Sequence, residues 1–316
     1  MEYDLVSACV NMSDNMKIVK IKGGLGNQLF QYAFALLLKK KTNGIVKLDF
    51  SSCYGTSDVT CEDRLKLFSI SIQEASPIDI KKNCRFYNKY PLSTLKYRLV
   101  SFMSVFFDKH YYFEKKREFR DVDELLDYRY FDGYWQSWKY VSEVSDELTK
   151  ELVPNETVSR KTKDTIDKVS SENSVFIGIR RGDYSSSQSA RSIYGSFDVN
   201  YYLNAMKRMA TLIDNPVFYV FSNDVEWCKK SINWDGYSVI FREKDEQASD
   251  FEELLIMSNC KNAIIVNSTF HWWGAFLIKN KNKVVIAPTE WHVNGDKMDI
   301  IPPGWIRMKR NGEFEE

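Results

Sequence analysis

Arg180 and Arg181 stand side by side directly after the apolar run Val175–Ile179, with Gly182, Asp183 and Tyr184 behind them. A guanidinium is a planar fork of donors that stays charged at every working pH, which suits it to phosphate oxygens. Two other polar groups hold equivalent places: Ser222-Asn223-Asp224 after Val217–Phe221, and Asn267-Ser268-Thr269 after Ala263–Val266. Hydroxyls and free amides at the start of a helix near Phe270 would seat an anion, and Asp224 would accept hydrogen bonds from a base edge or a ribose. Each cluster has a plainer explanation by itself. Adjacent arginines are commonly solvated, and Asp224, Ser268 or Thr269 would serve as helix caps. Position is what joins them. If the three runs are parallel strands, all three clusters meet at the carboxyl edge where open sheets bind ligands. Together they suit a nucleoside diphosphate, and no P-loop lysine motif calls for magnesium. Charge shed by a departing diphosphate would then fall on protein cations.

The rhythm of the second half supports that placement. Short apolar runs alternate with helical periodicity, and Val284–Ala287, stopped by Pro288, adds a fourth strand. Asp250 with Glu253 reads as a capping-box-like helix start. Strand, helix, strand with short joints predicts a doubly wound parallel sheet. The first half opens the same way. Lys17–Ile21 is a strand, Gly23, Gly24 and Gly26 permit a tight turn, and helical spacing begins at Leu29. Lys39, Lys40 and Lys41 then suit the helix C-terminus before Asn43-Gly44. Ile45–Phe50 is a second strand that contains Asp49. This approaches the dinucleotide fingerprint, but Leu29 stands where its third glycine belongs. A nicotinamide-dependent oxidoreductase is therefore one reading of this half. A glycine turn joining strand to helix is the other.

The chain of 316 residues suits two domains, and its 44 basic against 43 acidic residues argue against a dedicated nucleic-acid binder. Six cysteines in no regular framework, with only three histidines, suggest free buried thiols and no structural zinc. Residues 1–15 lack the basic and apolar regions of a signal peptide and read as a loose extension. A cytoplasmic location follows as the expectation, with no cofactor and no metal. Leu95–Phe113 is apolar and aromatic enough for weak association with a membrane surface, although a helix packed within its own domain is the favoured reading. The polar stretch Asn155–Asn173 places a domain boundary at 155/156, giving domains 16–155 and 156–316.

Four blocks carry a family resemblance: GGLGNQLFQYAFAL at 23–36, GYWQSWKY at 133–140, IRRGDY at 179–184 and MSNCKNAIIVNSTFHWWGAF at 257–276. With them the chain resembles the bacterial family 11 glycosyltransferases, the α-1,2-fucosyltransferases. The resemblance implies an α/β chain of GT-B type, two Rossmann-like domains facing each other across a cleft. The C-terminal domain would hold GDP-L-fucose, and the N-terminal one would take the acceptor, a β-galactoside on an oligosaccharide or a lipid-linked glycan. Transfer would be inverting and metal-independent, onto the 2-hydroxyl. By the same resemblance Arg180 would stabilise the β-phosphate and Asp183 would orient the arginines. Arg181, Asn223, Asp224, Asn267, Ser268, Thr269 and His271 would bind the donor, and Gly24, Gly26, Asn27 and Gln28 would face the cleft. Two positions depart from the pattern: Gly178 replaces a common histidine, and His271 replaces a common serine. The acceptor's base stays open among Asp49, Glu62, Asp183, Glu290 and His292. A non-catalytic carbohydrate- or nucleotide-binding module is the remaining alternative.

Overall fold

The structure, a computed structural model, describes residues 16–53, 62–85, 103–155, 157–181, 194–242, 249–293 and 298–315. The extension at 1–15, Asp183 and residues 95–102 lie outside these ranges. The chain divides into two compact units, residues 1–155 with 298–300, and residues 156–297 with 301–316.

Unit 1 contains β1 (Lys17–Lys20), α1 (Leu25–Thr42), β2 (Val46–Asp49), α2 (Pro77–Asn83), β3 (Tyr111–Phe113), β4 (Tyr130–Asp132), α3 (Trp138–Ser142) and α4 (Ser145–Glu151). Its sheet runs β2-β1-β4-β3, and every pair is parallel. The helix α1 is buried on nearly all sides, with Leu29, Phe30, Ala33 and Phe34 fully enclosed. Burying each such large side chain contributes about 1.5–3 kcal/mol. Asn43, in the left-handed region at φ 47°, ends the helix, and the last turn carries Lys39, Lys40 and Lys41 toward its negative pole. The expectation of a helix across residues 95–113 fails at its C-terminal end. Tyr111–Phe113 pairs in parallel with β4, as bulky aromatic residues favour on a half-buried pleated surface. The returning segment at 298–300 is tied in by Trp138 N–H, which donates to the Asp299 carbonyl at 2.9 Å, and by a 3.2 Å ion pair from Lys139 to Asp299.

Unit 2 contains α5 (Arg160–Ser171), β5 (Ser174–Ile179), α6 (Val199–Leu212), β6 (Val217–Ser222), α7 (Val225–Ser231), β7 (Ser238–Phe241), α8 (Asp250–Asn259), β8 (Asn262–Ile264), α9 (Thr269–Phe276), β9 (Val285–Pro288) and β10 (Ile306–Met308). The sheet runs β10-β9-β8-β5-β6-β7, again with every pair parallel. Successive strand residues point to opposite faces. Val175, Ile177 and Ile179 accordingly pack with Tyr201, Tyr202, Met206 and Met209 of α6. Phe176 and Gly178 face the other layer, where a side chain on Gly274 of α9 would meet Phe176 and Met257. The cap of α8 is Ser249, whose hydroxyl accepts from Glu252 N–H, rather than Asp250. The four described cysteines, Cys53, Cys84, Cys228 and Cys260, are buried.

Candidate functional site

In unit 2 the strand order reverses between β5 and β8, because β6 lies on one side of β5 and β8 on the other. Crevices at such reversals, beyond the strands' carboxyl ends, are where open parallel sheets take ligands. Arg180 and Arg181 follow β5 directly, and Asn267, Ser268 and Thr269 lead from β8 into α9. The two arginines divide by strand alternation. Arg180 continues the face of Phe176 and Gly178, toward α9, and its charge acts on His271. Arg181 continues the opposite face. Its guanidinium lies 3.7 Å from the centroid of Trp227 and 3.8 Å from Asp224, while its backbone N–H donates to Asn223 Oδ1 at 2.9 Å. Arg181 is thus committed to α7, and Arg180 is the arginine directed at the α9 terminus.

The start of α9 leaves backbone donors open. Ser268 is the N-cap residue, but its side chain makes no capping hydrogen bond, so the first-turn amides have no intrahelical acceptor. Asn267 is buried, and its amide donates to the carbonyls of Tyr194 and Trp291, both at 2.8 Å. It anchors the loop from beneath. Asp224 accepts from Trp227 N–H at 3.1 Å as the N-cap of α7, and Asn223 is exposed at the end of β6. These two stand on the same sheet edge as Arg180, separated from β8 by β5.

His271 occupies the third position of α9 and is only 7% exposed. A Cβ on Gly178 would lie 2.4 Å from its Cγ and Nδ1. The imidazole therefore occupies the room that a side chain at 178 would need. The two positions that the resemblance marks as departures thus meet in space, with a histidine ring reaching the strand end from the helix. Its Nδ1 is buried with no hydrogen-bond partner among the described residues, and burial, aided by the Arg180 charge, pushes its pKa down to about 3. The ring is neutral at working pH. Gly178→Ala is expected to destabilise unit 2 by about 1–3 kcal/mol through overpacking, and adding His271→Ala should recover most of that loss. Thermal melts of the two single variants and the double variant check it, and additive losses would show the contact to be unimportant.

Unit 1 has its own reversal, between β1 and β4. The glycine turn after β1 uses Gly23 at φ 77°, and among the described residues, chain neighbours apart, nothing lies within 4 Å of where a Cβ on Gly24 would be. Gly26 is buried in the first turn of α1. The carboxamide of Gln28 is fully engaged by the chain, donating to the carbonyls of Gly23 and Glu62 and accepting from Arg64 N–H. Asn27 instead accepts from Gln136 Nε2 at 2.8 Å, linking the glycine turn to the loop after β4. Within that loop Trp135 has φ 56°, a left-handed conformation that costs a bulky residue about 1–2 kcal/mol. Its ring stacks on Phe34 at 3.7 Å and contacts Tyr112, Phe131 and Tyr140. Glu114 braces the same loop by accepting from the N–H groups of Tyr134 and Trp135, and burial raises its pKa despite those bonds. Asp132, at the end of β4, is fully buried and pairs with Lys20, Lys22 and the Tyr111 hydroxyl.

Sequence reasoning singled out the block containing Trp135 and Gln136 without giving it a role, and it passed over Asp132 and Glu114. Their signal is three-dimensional: a strained backbone and buried charge. Among the candidate bases, Asp49 is enclosed, accepting from the Tyr130 hydroxyl and from Ser51 N–H. Among the described residues no group of three or more His, Cys, Asp or Glu side chains is placed to hold a metal, and no helix is long and apolar enough to cross a membrane.

The profile of glycosyl transferase family 11 matches residues 16–309. An alpha-1,2-colitosyltransferase of Escherichia coli is 32% identical over 93% of this chain and 99% of its own length. The O-antigen biosynthesis glycosyltransferase WbnK of Escherichia coli is 30% identical over 91% of this chain and 99% of its own. Galactoside 2-alpha-L-fucosyltransferase Sec1 of Mus musculus is 26% identical over 84% of this chain and 65% of its own. The solved structure of NodZ alpha-1,6-fucosyltransferase soaked with GDP-fucose aligns with a TM-score of 0.42 at 12% identity, covering 82% of this chain and 91% of that one.

Proposed function

The chain belongs to glycosyl transferase family 11, and on that premise we propose that it transfers L-fucose from GDP-β-L-fucose to the 2-hydroxyl of a terminal β-galactoside, with inversion. The observation that carries the reading is the pairing of Arg180 with the open start of α9 at the strand-order reversal of unit 2. As the bond between sugar and phosphate lengthens, negative charge grows on the diphosphate. A fixed guanidinium and backbone N–H groups stabilise that charge more in the transition state than in the bound donor, which lowers the barrier. Asn223 and Asp224 take the guanosine end, and Ser268 and Thr269 contact phosphate oxygens. His271, being neutral, adds no second positive charge beside Arg180. Asp183 orients the arginine loop. The donor would lie on residues 156–316 and the acceptor on 16–155, apart from the return at 298–300, which belongs to unit 1.

A second reading keeps the site and changes the sugar. The relative at 32% identity is named a colitosyltransferase, so colitose is the competing donor sugar. The deciding experiment offers the purified chain both nucleotide-linked sugars with lactose and related β-galactosides, with and without chelator, and identifies products by mass spectrometry. Fucosylated galactoside formed equally well with chelator is the expected result. A colitosyl product alone would transfer the assignment to the second reading. GDP release absent with either donor would refute transfer altogether and leave a binding module.

A further inference from the structure

The donor chemistry proposed above gives the block GYWQSWKY no role, yet its loop holds Trp135 in a left-handed conformation against an aromatic cluster. We propose that Gln136 contacts the acceptor sugar, its carboxamide receiving a hydroxyl of the glycoside at the strand-order reversal between β1 and β4; the inference rests on the glycosyl-transfer reading above. Three independent observations converge on this side chain.

The first is place. Gln136 follows β4 by four residues and Asn27 follows β1 by seven, so both sit beyond the carboxyl ends of the two strands that flank the reversal. That is where a parallel sheet receives small molecules. The second is hydrogen bonding. Gln136 is 6% exposed; its Nε2 donates to Asn27 Oδ1 at 2.8 Å, and its Oε1 is buried with no hydrogen-bond partner among the described residues. Buried polar atoms are almost always paired, so an unpaired acceptor held in one orientation points to a ligand. The third is backbone. Trp135 adopts its left-handed conformation while its ring is clamped in the aromatic nest around Phe34. Bulky residues keep such angles where surrounding structure over-determines them, and such sites cluster at ligand contacts. Here the consequence is local: with Trp135 turned into the core, the next side chain is delivered to Asn27.

The chemistry fits a neutral polyol rather than an anion. A carboxamide presents one acceptor and one donor in a plane, matching a hydroxyl that both gives and accepts a proton. The unfilled atom is an acceptor, which repels phosphate oxygens and welcomes O–H. Lys22, which opens the glycine turn, is ion-paired with Asp132, so the turn does not compete for the diphosphate. Gly24 adds room in that turn, since a Cβ there would touch none of the described residues within 4 Å, chain neighbours apart.

The test is Gln136→Met, which keeps length and removes both polar atoms. Acceptor KM should rise at least tenfold, with GDP affinity by calorimetry within twofold of wild type and the melting temperature unchanged or higher. A series of monodeoxy β-galactosides supplies the second readout. One of them should be a poor acceptor for the wild type and no worse than the parent sugar for the variant. Unchanged acceptor KM and kcat, or a loss of GDP affinity and melting temperature together, would overturn the role. If Gln136→Met does not fold, Gln136→Glu keeps an acceptor oxygen that a turned Asn27 amide can still hold. It should retain discrimination among the deoxy sugars, and losing it with GDP binding unchanged would overturn the acceptor role of the Gln136 oxygen. A wild type inactive toward every glycoside would defeat the functional reading and this inference with it, whereas an active wild type and an indifferent variant would defeat this inference alone.

Discussion

Arg180→Ala is expected to lower kcat for sugar transfer by a factor of about 100–1000, the range seen when one donor to a developing oxyanion is removed. That corresponds to about 2.7–4 kcal/mol of lost transition-state stabilisation. Folding should barely respond, because Arg180 lies beyond the last residue of β5 and is only partly buried. The neighbour on the other face makes the comparison sharp. Arg181→Ala removes the stack on Trp227 and the contact with Asp224, so it should act on stability and nucleotide affinity more than on kcat. Arg180→Lys restores charge without the planar fork and should recover only part of the rate. Steady-state kinetics at saturating donor, beside melting temperatures of the same preparations, measure both quantities. A kcat for Arg180→Ala within threefold of wild type would remove the guanidinium from the mechanism.

The second large effect lies in unit 1 and concerns stability. Asp132→Asn should destabilise that unit by about 3–5 kcal/mol, the usual result of breaking a buried charge pair from one side. Asp132 has no exposed surface, while Lys20 and Lys22 approach its two oxygens and Tyr111 donates to it at 2.8 Å. Burial alone would raise its pKa, but the two lysines and the hydroxyl outweigh burial and hold the carboxyl well below the usual carboxylate range. A carboxyl with a depressed folded-state pKa contributes stability that is complete above its unfolded value, about 3.9. That contribution fades as pH falls below it. Wild-type stability should therefore decline below pH 4, and the variant should start lower and decline less. Chemical denaturation of both proteins between pH 3 and pH 7 checks this, and parallel acid limbs would show that Asp132 is not the titrating group.

Much of the architecture could be read from residue order, because parallel sheets of this kind are built from local signals. The runs before Arg180, Ser222 and Ser268 are apolar on both faces, as buried strands require, and each ends at a polar cluster. The α1 helix announced its C-terminal end through Asn43, but it starts at Leu25, four residues before the helical spacing that opens at Leu29, so Gly26 belongs to its first turn rather than to the glycine turn. Elements with weaker local signals were missed. Three-residue strands such as β3, β4 and β10 carry no period of their own, and they form because a parallel neighbour offers unpaired backbone groups. The candidate site divides the same way. Arg180 and the start of α9 were visible as types in sequence. The separation of Arg180 from Arg181 onto two faces depended on where β5 stops. The pairing of Gly178 with His271 required knowing that β5 and α9 are packed together, and residues 93 apart in sequence give no local hint of contact.

The short return at 298–300 has a practical consequence for exchanging parts between relatives. Because Asp299 is fastened to Trp138 and Lys139 while the chain before residue 298 and after residue 300 belongs to unit 2, a chimera spliced only at residue 155 would graft a foreign tripeptide onto the recipient's first half. Successful hybrids should need two junctions, with 298–300 travelling alongside residues 16–155.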